Sequence, residues 1–175
     1  MSRIHIGAAL AVAGFFLTAT PSFAHVTLEV REAPVGASYK AVLRVPHGCE
    51  GQATNTLRVR VPEGFYAVKP MPKPGWTLET KSGPYSGSYD NHGRTVSEGV
   101  REIVWSGGEL ADAHYDEFVF RGTLADTLEP GTVLYFPVVQ ECANGAERWI
   151  EIPEDGGSAR EFRKPAPGLK LLPAR

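Results

Sequence analysis

The 175-residue chain has 18 Lys and Arg residues against 20 Asp and Glu residues, a formal net charge of −2 at pH 7. No basic stripe of the kind that neutralises phosphates is present, so we do not expect nucleic acid as a partner. The length suits one domain with a hydrophobic core of its own.

The first 24 residues have the parts of a secretory signal peptide. A basic start at Arg3 is followed by an apolar run over residues 6–19, too short to span a bilayer, and by the small residues Ser22 and Ala24 at the third-last and last positions. A retained anchor is the alternative, but no polar stop-transfer flank follows the run. We expect cleavage after Ala24, export to the periplasm, and a mature chain of residues 25–175 that begins at His25. This removes one Arg and no acid, so the mature charge is 17 − 20, or −3. No second apolar run is long enough for a membrane span.

Short runs with alternating apolar residues dominate the mature chain. Residues 26–31, 39–45 and 57–61 alternate in the way that indicates half-buried strands. Further strands are expected over residues 64–69, 76–81, 100–105, 117–124, 133–141 and 147–152. Pro, Gly and Asn mark the breaks, and no amphipathic helix is evident. Roughly nine short strands at this spacing predict an all-β fold, an antiparallel immunoglobulin-like β-sandwich, with a small barrel as the alternative.

Three segments depart from this strand pattern. Residues 69–75 are rich in proline and predict an extended edge or connection. Residues 82–93 combine Gly, Ser, Asn and Asp with two tyrosines and predict a long surface loop. The tail from about residue 153 is polar and punctuated by proline, and we expect it to be an extended arm.

Both cysteines, Cys49 and Cys142, lie in the mature chain. Export places them where disulfides persist, so we expect them to pair. The alternative is a two-cysteine site for a soft metal. It is less favoured, because the two residues lack CxxC spacing.

Signal removal would leave His25 at the N-terminus, a position with a metal chemistry of its own. The free α-amine and the ring Nδ1 of one histidine can close a chelate, and a further nitrogen or oxygen completes a tetragonal set of the kind that Cu(II) prefers. His25 is therefore a candidate copper ligand. A histidine left by chance on a frayed terminus is the alternative, and this feature by itself favours neither.

A second candidate follows from the first two predicted strands, which we expect to form a hairpin around Pro34-Val35-Gly36. Counting outward from Gly36, position 25 comes opposite a position near 47. His47 is therefore a candidate ligand or neighbour of the metal, and a solvated loop histidine is the alternative.

The expected disulfide adds a third element to this site. It ties the His47 loop to Cys142, and the strand that leaves the following turn carries Trp149 and Glu151 toward the same end of the sandwich. The alternatives are a core position for Trp149 and a solvated strand carboxylate for Glu151. Trp76 and Trp105 lie within apolar strands, and we expect both in the core.

Five segments, in chain order, carry a family resemblance: HVTL at 25–28, RVPHGCEG at 44–51, KPMPKPGW at 69–76, FPVVQEC at 136–142 and WIEIP at 149–153. Together they resemble the YcnI-like family of exported bacterial copper-binding domains, over nearly the whole mature chain. The resemblance implies a β-sandwich and a Cu(II) site on the N-terminal histidine, with an acidic or second nitrogen ligand and a tryptophan close by. The family is linked to copper handling.

One departure from the family concerns the further ligand. Members from Gram-positive bacteria carry an acidic residue and a tryptophan early in the second strand, and a C-terminal transmembrane helix. Here that stretch reads ASYK at residues 37–40 and no such helix is evident, so the acidic ligand cannot be carried over. We prefer His47 as its replacement. Glu50 and Glu151 remain candidates, Glu151 as a ligand and Glu50, with Trp149, close to the ligands. The anchorless form fits a periplasmic protein of a Gram-negative bacterium.

These expectations favour a copper-binding protein that is not an enzyme and that acts in copper homeostasis or in delivery to another periplasmic copper protein. Met71 is the only methionine left after cleavage, which favours Cu(II) over Cu(I). One alternative is a copper-dependent oxidase or oxygenase, for which Tyr85 and Tyr89 would be the exposed aromatic residues. Another is an immunoglobulin-like interaction module without metal. No hydrolase is indicated, because His92 and His114 have no paired nucleophile.

Overall fold

The computed structural model describes residues 25–154 and 161–175, so the predicted signal peptide lies outside the described residues. Twelve strands make up the fold in this part of the chain. They are β1 (Thr27–Leu28), β2 (Glu32–Pro34), β3 (Ser38–Val45), β4 (Thr54–Arg60), β5 (Phe65–Pro70), β6 (Thr77–Asp90), β7 (Thr95–Leu110), β8 (Asp116–Leu124), β9 (Val133–Tyr135), β10 (Val138–Cys142), β11 (Gly145–Trp149) and β12 (Gly168–Leu172). None of the described residues belongs to a helix that is long and apolar enough to cross a membrane.

Strands β1, β3, β8 and β5 form an antiparallel sheet in that order. Its strand β3 is half-buried, as the alternation predicts, because Tyr39, Ala41, Leu43 and Val45 all face the core. β5 lies at the edge of the sheet and ends at Pro70. The proline-rich segment that follows β5 is a connection, which confirms its prediction.

Strands β11, β10, β4, β7 and β6 form a second antiparallel sheet. The two sheets pack face to face through aromatic side chains, since the ring of Trp105 in β7 lies 5.5 Å from that of Phe118 in β8. Phe65 in β5 makes edge contacts with Phe120 and Phe136 at centroid distances of 6.1 and 5.5 Å. All five side chains are buried, and each contributes about 1.5–3 kcal/mol relative to an exposed position. The predicted antiparallel sandwich is thus confirmed.

Strands β2, β12 and β9 form a third sheet, in which β2 is parallel and β9 antiparallel to β12. The predicted hairpin of the first two strands is therefore only partly correct. The chain pairs β1 with β3 over two residues and then turns away into β2. The register nevertheless agrees with the count, because Thr27 pairs with Arg44. Continued by two residues, this register places position 25 opposite position 46, next to His47.

The segment 82–93, predicted as a surface loop, instead belongs to the long hairpin of β6 and β7. Tyr85 is buried, and a Cβ at Gly99 would overlap its ring, so the glycine lets the tyrosine cross the partner strand. Tyr89 stacks on Tyr66 with the ring centroids 4.6 Å apart. The glycines and serines that resemble a loop in the sequence serve here as register shifts and as space for aromatic packing.

The tail, expected as an extended arm, is packed into the fold over its described C-terminal part. Its strand β12 lies between β2 and β9, and Leu169 and Leu171 are fully buried. The alternation in GLKLL is a strand signal, but it is short and flanked by prolines.

Candidate metal centre

His25 lies two residues before the start of β1, at an edge of the first sheet, and is half-buried. Its ring meets the indole of Trp149 edge to face, with centroids 5.5 Å apart and an interplanar angle of 63°. Trp149 is the last residue of β11, the edge strand of the second sheet. The first residue of the expected mature chain is therefore held between the edges of the two sheets.

Trp149 combines a core position with the contact to His25. It belongs to the hydrophobic core and is 4% exposed. Its indole N–H donates a hydrogen bond of 3.1 Å to Oε1 of Gln140, as a buried indole requires. The tryptophan thus joins the core to the edge where His25 lies.

Gln140 is a residue of this site that the sequence reasoning missed. Its buried amide Nε2 donates to the carbonyl oxygen of His47 at 2.6 Å and to Oγ1 of Thr54 at 2.7 Å. A signal was present, because Val138, Gln140 and Cys142 alternate on one face of a predicted strand and so place a polar side chain inside. The amide links Trp149 to the His47 loop.

The expected disulfide between Cys49 and Cys142 is present, with an S–S distance of 2.03 Å and a Cα–Cα distance of 6.1 Å. Cys49 lies in the loop that leads from β3 in the first sheet to β4 in the second. Within this loop, the backbones of Cys49 and Gln52 exchange two hydrogen bonds of 2.9 Å. A Cβ at Gly48 would overlap the carbonyl oxygen of Gln52, so this close turn requires glycine. Disulfide and turn together fix the loop that carries His47.

His47 is half-buried in that loop. Its Nδ1 lies 2.6 Å from the carbonyl oxygen of Gly48. Since a carbonyl oxygen only accepts, Nδ1–H donates this bond, and in the neutral ring Nε2 carries the lone pair. The geometry makes Nε2 the atom through which His47 would bind a metal.

The two candidate glutamates occupy different settings. Glu151 is exposed, and its carboxylate accepts a hydrogen bond from the backbone N–H of Lys164 in the tail. Its backbone is also bonded to the tail, since its carbonyl accepts the N–H of Ala166 at 2.8 Å. Glu50 is exposed at the turn after Cys49, with a φ of 48°.

No three or more His, Cys, Asp and Glu side chains among residues 25–154 and 161–175 are grouped so that they could hold a metal ion. A chelate on His25 does not need such a group, because the amine released by cleavage would supply one of its nitrogens. A shallow cavity beside His25, lined also by Thr27, Pro46 and Tyr115, offers space for an ion.

Arg44 also lines this shallow cavity and would repel a cation if it were alone. Its guanidinium is paired with the carboxylates of Glu29 and Glu117 at 3.0 and 3.5 Å. These two acids offset the positive charge beside His25 and so reduce the repulsion.

Together, these features define a disulfide-linked β-sandwich of immunoglobulin-like form. Among solved structures, the chain is similar to an uncharacterized protein from Nocardia farcinica whose crystal structure reveals an immunoglobulin-like fold. The two are 24% identical, the match covers 85% of this chain and 98% of that chain, and the TM-score is 0.63. This likeness confirms the predicted fold.

The chain belongs to a family that is described as a domain of unknown function, DUF1775, whose model matches residues 25–171. A comparison with curated proteins gave no match.

Proposed function

We propose that this protein is an exported copper-binding protein of the YcnI-like type, which holds Cu(II) at His25 once the signal peptide is removed. It would act in periplasmic copper homeostasis or pass copper to another periplasmic protein. The observation that carries the proposal is the contact between the rings of His25 and Trp149. A residue left by chance at a frayed terminus would not be expected to pack between two sheets.

The family match supports the processing step. It begins at residue 25, where the signal pattern places the first residue of the mature chain. Only a chain that begins at this residue has the α-amine and the Nδ1 of His25 together for a chelate.

The remaining ligands follow from the chemistry of the donors. His47 Nε2 is the preferred third nitrogen, and a set of nitrogens in a tetragonal arrangement suits Cu(II). Glu151 is the weaker candidate, because its carboxylate already accepts a hydrogen bond from the tail. Copper is the cargo in this proposal.

The two tyrosines that the sequence offered for a substrate surface do not support oxygenase chemistry. Tyr85, one of two tyrosines considered for a flat substrate surface, is 8% exposed. The hydroxyl of the other, Tyr89, donates to Glu63 in the turn between β4 and β5. Neither lines the cavities beside His25.

The decisive experiment adds one Gly before His25 of the processed protein. This change moves the amine away and leaves the imidazole in place, so we expect Cu(II) affinity to fall roughly a hundredfold, equivalent to about 3 kcal/mol. The affinity is measured by competition with a chelator, together with the electron paramagnetic resonance spectrum. His25→Ala should weaken binding as much. His47→Ala should weaken it less and alter the spectrum.

His92→Ala is the matched control, since His92 is an exposed histidine in the turn between β6 and β7. It should leave affinity and spectrum unchanged, and the apo forms of all variants should unfold at similar temperatures. Unchanged Cu(II) affinity and spectrum in the Gly-extended protein would show that the N-terminal site is wrong.

A further inference from the structure

A second cavity adjoins His25 on the side of the third sheet. It measures about 430 Å³ and is bounded by β1, by β9 and by the tail residues 165–168. This volume is in the range of pockets that hold small molecules. We call it the tail cavity. A ligand in it would lie next to a metal bound by His25.

The charged residues that line the tail cavity are cationic. Arg31 and Lys170 contribute to it, and no Asp or Glu is among its lining residues within the described chain. Arg31 Nε donates to the carbonyl of Leu28 at 3.4 Å, which keeps the guanidinium beside β1. Lys170 pairs with Glu32 at 3.6 Å, but both side chains are more than half exposed, so this pair is weak. The processed amine and Cu(II) would add further positive charge, and the cavity is therefore suited to an anion.

Most of the remaining wall, apart from His25 and Thr27, is apolar. Val133 is 41% exposed, although it is a large hydrophobic residue, and Pro165 and Pro167 lie with it along the cavity. Tyr135 adds a half-buried ring. Cations together with apolar surface favour an organic anion with a hydrocarbon body over an inorganic ion.

We propose that the tail cavity binds a small organic dicarboxylate. One carboxylate pairs with Arg31 and Lys170, and the other is directed at the metal on His25. The pairing with the two cations needs no copper, whereas the metal contact rests on the function proposed above. The chelate and His47 would fill three positions of a tetragonal set, so an added carboxylate oxygen can take the fourth. Copper would then be received together with an anion.

The first test uses apo-protein that begins at His25 and succinate as the probe, at low salt. Calorimetric titration should show saturable binding, and amide resonances of residues 31, 135 and 170 should shift. Arg31→Ala with Lys170→Ala should lower the affinity about tenfold or more. The control pair Lys40→Ala with Arg94→Ala removes the same charge from exposed positions outside the cavity and should change the affinity little. If succinate does not bind, or if both double variants lose the same amount of succinate affinity, the proposal is overturned.

A second variant keeps both cations and adds a negative charge. Val133→Asp places a carboxylate at the exposed wall of the tail cavity and should weaken succinate binding without unfolding the protein. Met71→Asp, at a residue that is 52% exposed and does not line the cavity, is its control. Sulfate is the competing probe, and sulfate binding as tight as that of succinate would reject the organic ligand.

The last experiment distinguishes the dicarboxylate proposal from the copper site proposed above. Carbon-13 succinate added to the Cu(II) protein should give a carbon coupling in pulsed electron paramagnetic resonance, and Arg31→Ala with Lys170→Ala should remove it. The Gly-extended protein should still bind succinate when free of metal. Lost copper binding with retained succinate binding would reject only the copper site. Tight copper binding without succinate binding would reject only the dicarboxylate.

Discussion

Gln140 joins Trp149 to two positions that lie far from it in the sequence, the His47 loop and Thr54. Its amide oxygen accepts the indole N–H of Trp149, and its nitrogen donates to the loop carbonyl of His47 and to Thr54. A buried amide with such partners is favourable only while all of them are in place, because an unsatisfied buried group costs about 1–3 kcal/mol. The hydrogen bonds therefore fix the orientation of the indole that contacts His25.

A second polar group lies where the β6–β7 hairpin meets β5. The hydroxyl of Tyr89 donates to Glu63 and accepts the backbone N–H of Gly64 at 3.2 Å, while Arg101 pairs with Glu63 at 3.0 Å. Burial, followed by the charge and hydrogen bond of Glu63, raises the pKa of Tyr89 to about 12. Burial opposes ionisation of Glu63, but bonds from Tyr89 and Ser86 and the charge of Arg101 outweigh it and lower its pKa.

The raised pKa of Tyr89 predicts a loss of stability at alkaline pH. An unfolded tyrosine ionises near pH 10, so between pH 10 and about 12 the unfolded state binds fewer protons than the folded one. The free energy of unfolding should therefore be fully retained below pH 10 and fall as pH rises toward 12. Tyr89→Phe should cost about 1–3 kcal/mol at pH 7 and make this alkaline decline shallower. Urea unfolding at pH 7, 10 and 11 measures both effects.

Tyr115→Phe is the control for this experiment, because Tyr115 is 61% exposed. It should reproduce the wild-type dependence on pH. If the free energy of unfolding of Tyr89→Phe falls with rising pH as steeply as that of the wild type, the role of Tyr89 is contradicted.

Among the elements, the strands with a clear apolar alternation are those that the sequence predicts well. β3 shows the alternation, and its burial follows it except at Val42, which is buried as well. The β6–β7 hairpin could not be predicted in the same way, since most of β6 is exposed and carries no apolar face. Its tip is held by Tyr85 over Gly99 and by Tyr89 on Tyr66, which are tertiary contacts. Pairing rather than local pattern determines this element.

The packing of β12 predicts that the tail contributes to stability. Leu169 is fully buried, so Leu169→Ala should lower the free energy of unfolding by about 2–5 kcal/mol through lost burial and a cavity. Lys170→Ala changes the next residue, which is exposed, and should cost less than about 0.5 kcal/mol. Urea unfolding of both variants provides the comparison. If both variants lower the free energy of unfolding by equally small amounts, the tail is a peripheral arm.

At the scale of the whole molecule, the candidate site uses all three sheets. His25 comes from the edge of the first, Trp149 from the edge of the second, and the tail cavity is completed by β9 and β12 of the third. The sequence predicts that His25 lies near position 47, because residues of antiparallel strands pair one by one outward from the turn. The observed pairing of Thr27 with Arg44 agrees with this prediction. The sequence does not predict the ring contact with Trp149 or the role of Gln140, because both depend on how the sheets pack. The parallel pairing in the third sheet has no local signal either, although β9 and β12 each lie in a stretch with a strand pattern.

The disulfide connects two segments that lie far apart in the sequence, and its removal is the final prediction. It joins residues 93 apart in sequence, so the chain-entropy model gives about 4–5 kcal/mol of stabilisation. The double change Cys49→Ala and Cys142→Ala should lower the free energy of unfolding by about this amount, and reduction of the wild type should do the same. Since domains are stable by about 5–15 kcal/mol, the variant should remain folded at low temperature. Gln140 would still hold the His47 carbonyl, so the Cu(II) affinity of the double variant should change little.

Intact mass of the exported wild type should show a start at His25 and the loss of two hydrogens. Free thiols in that protein, or a cost of reduction below about 1 kcal/mol, would show that the disulfide does not stabilise the fold in this way.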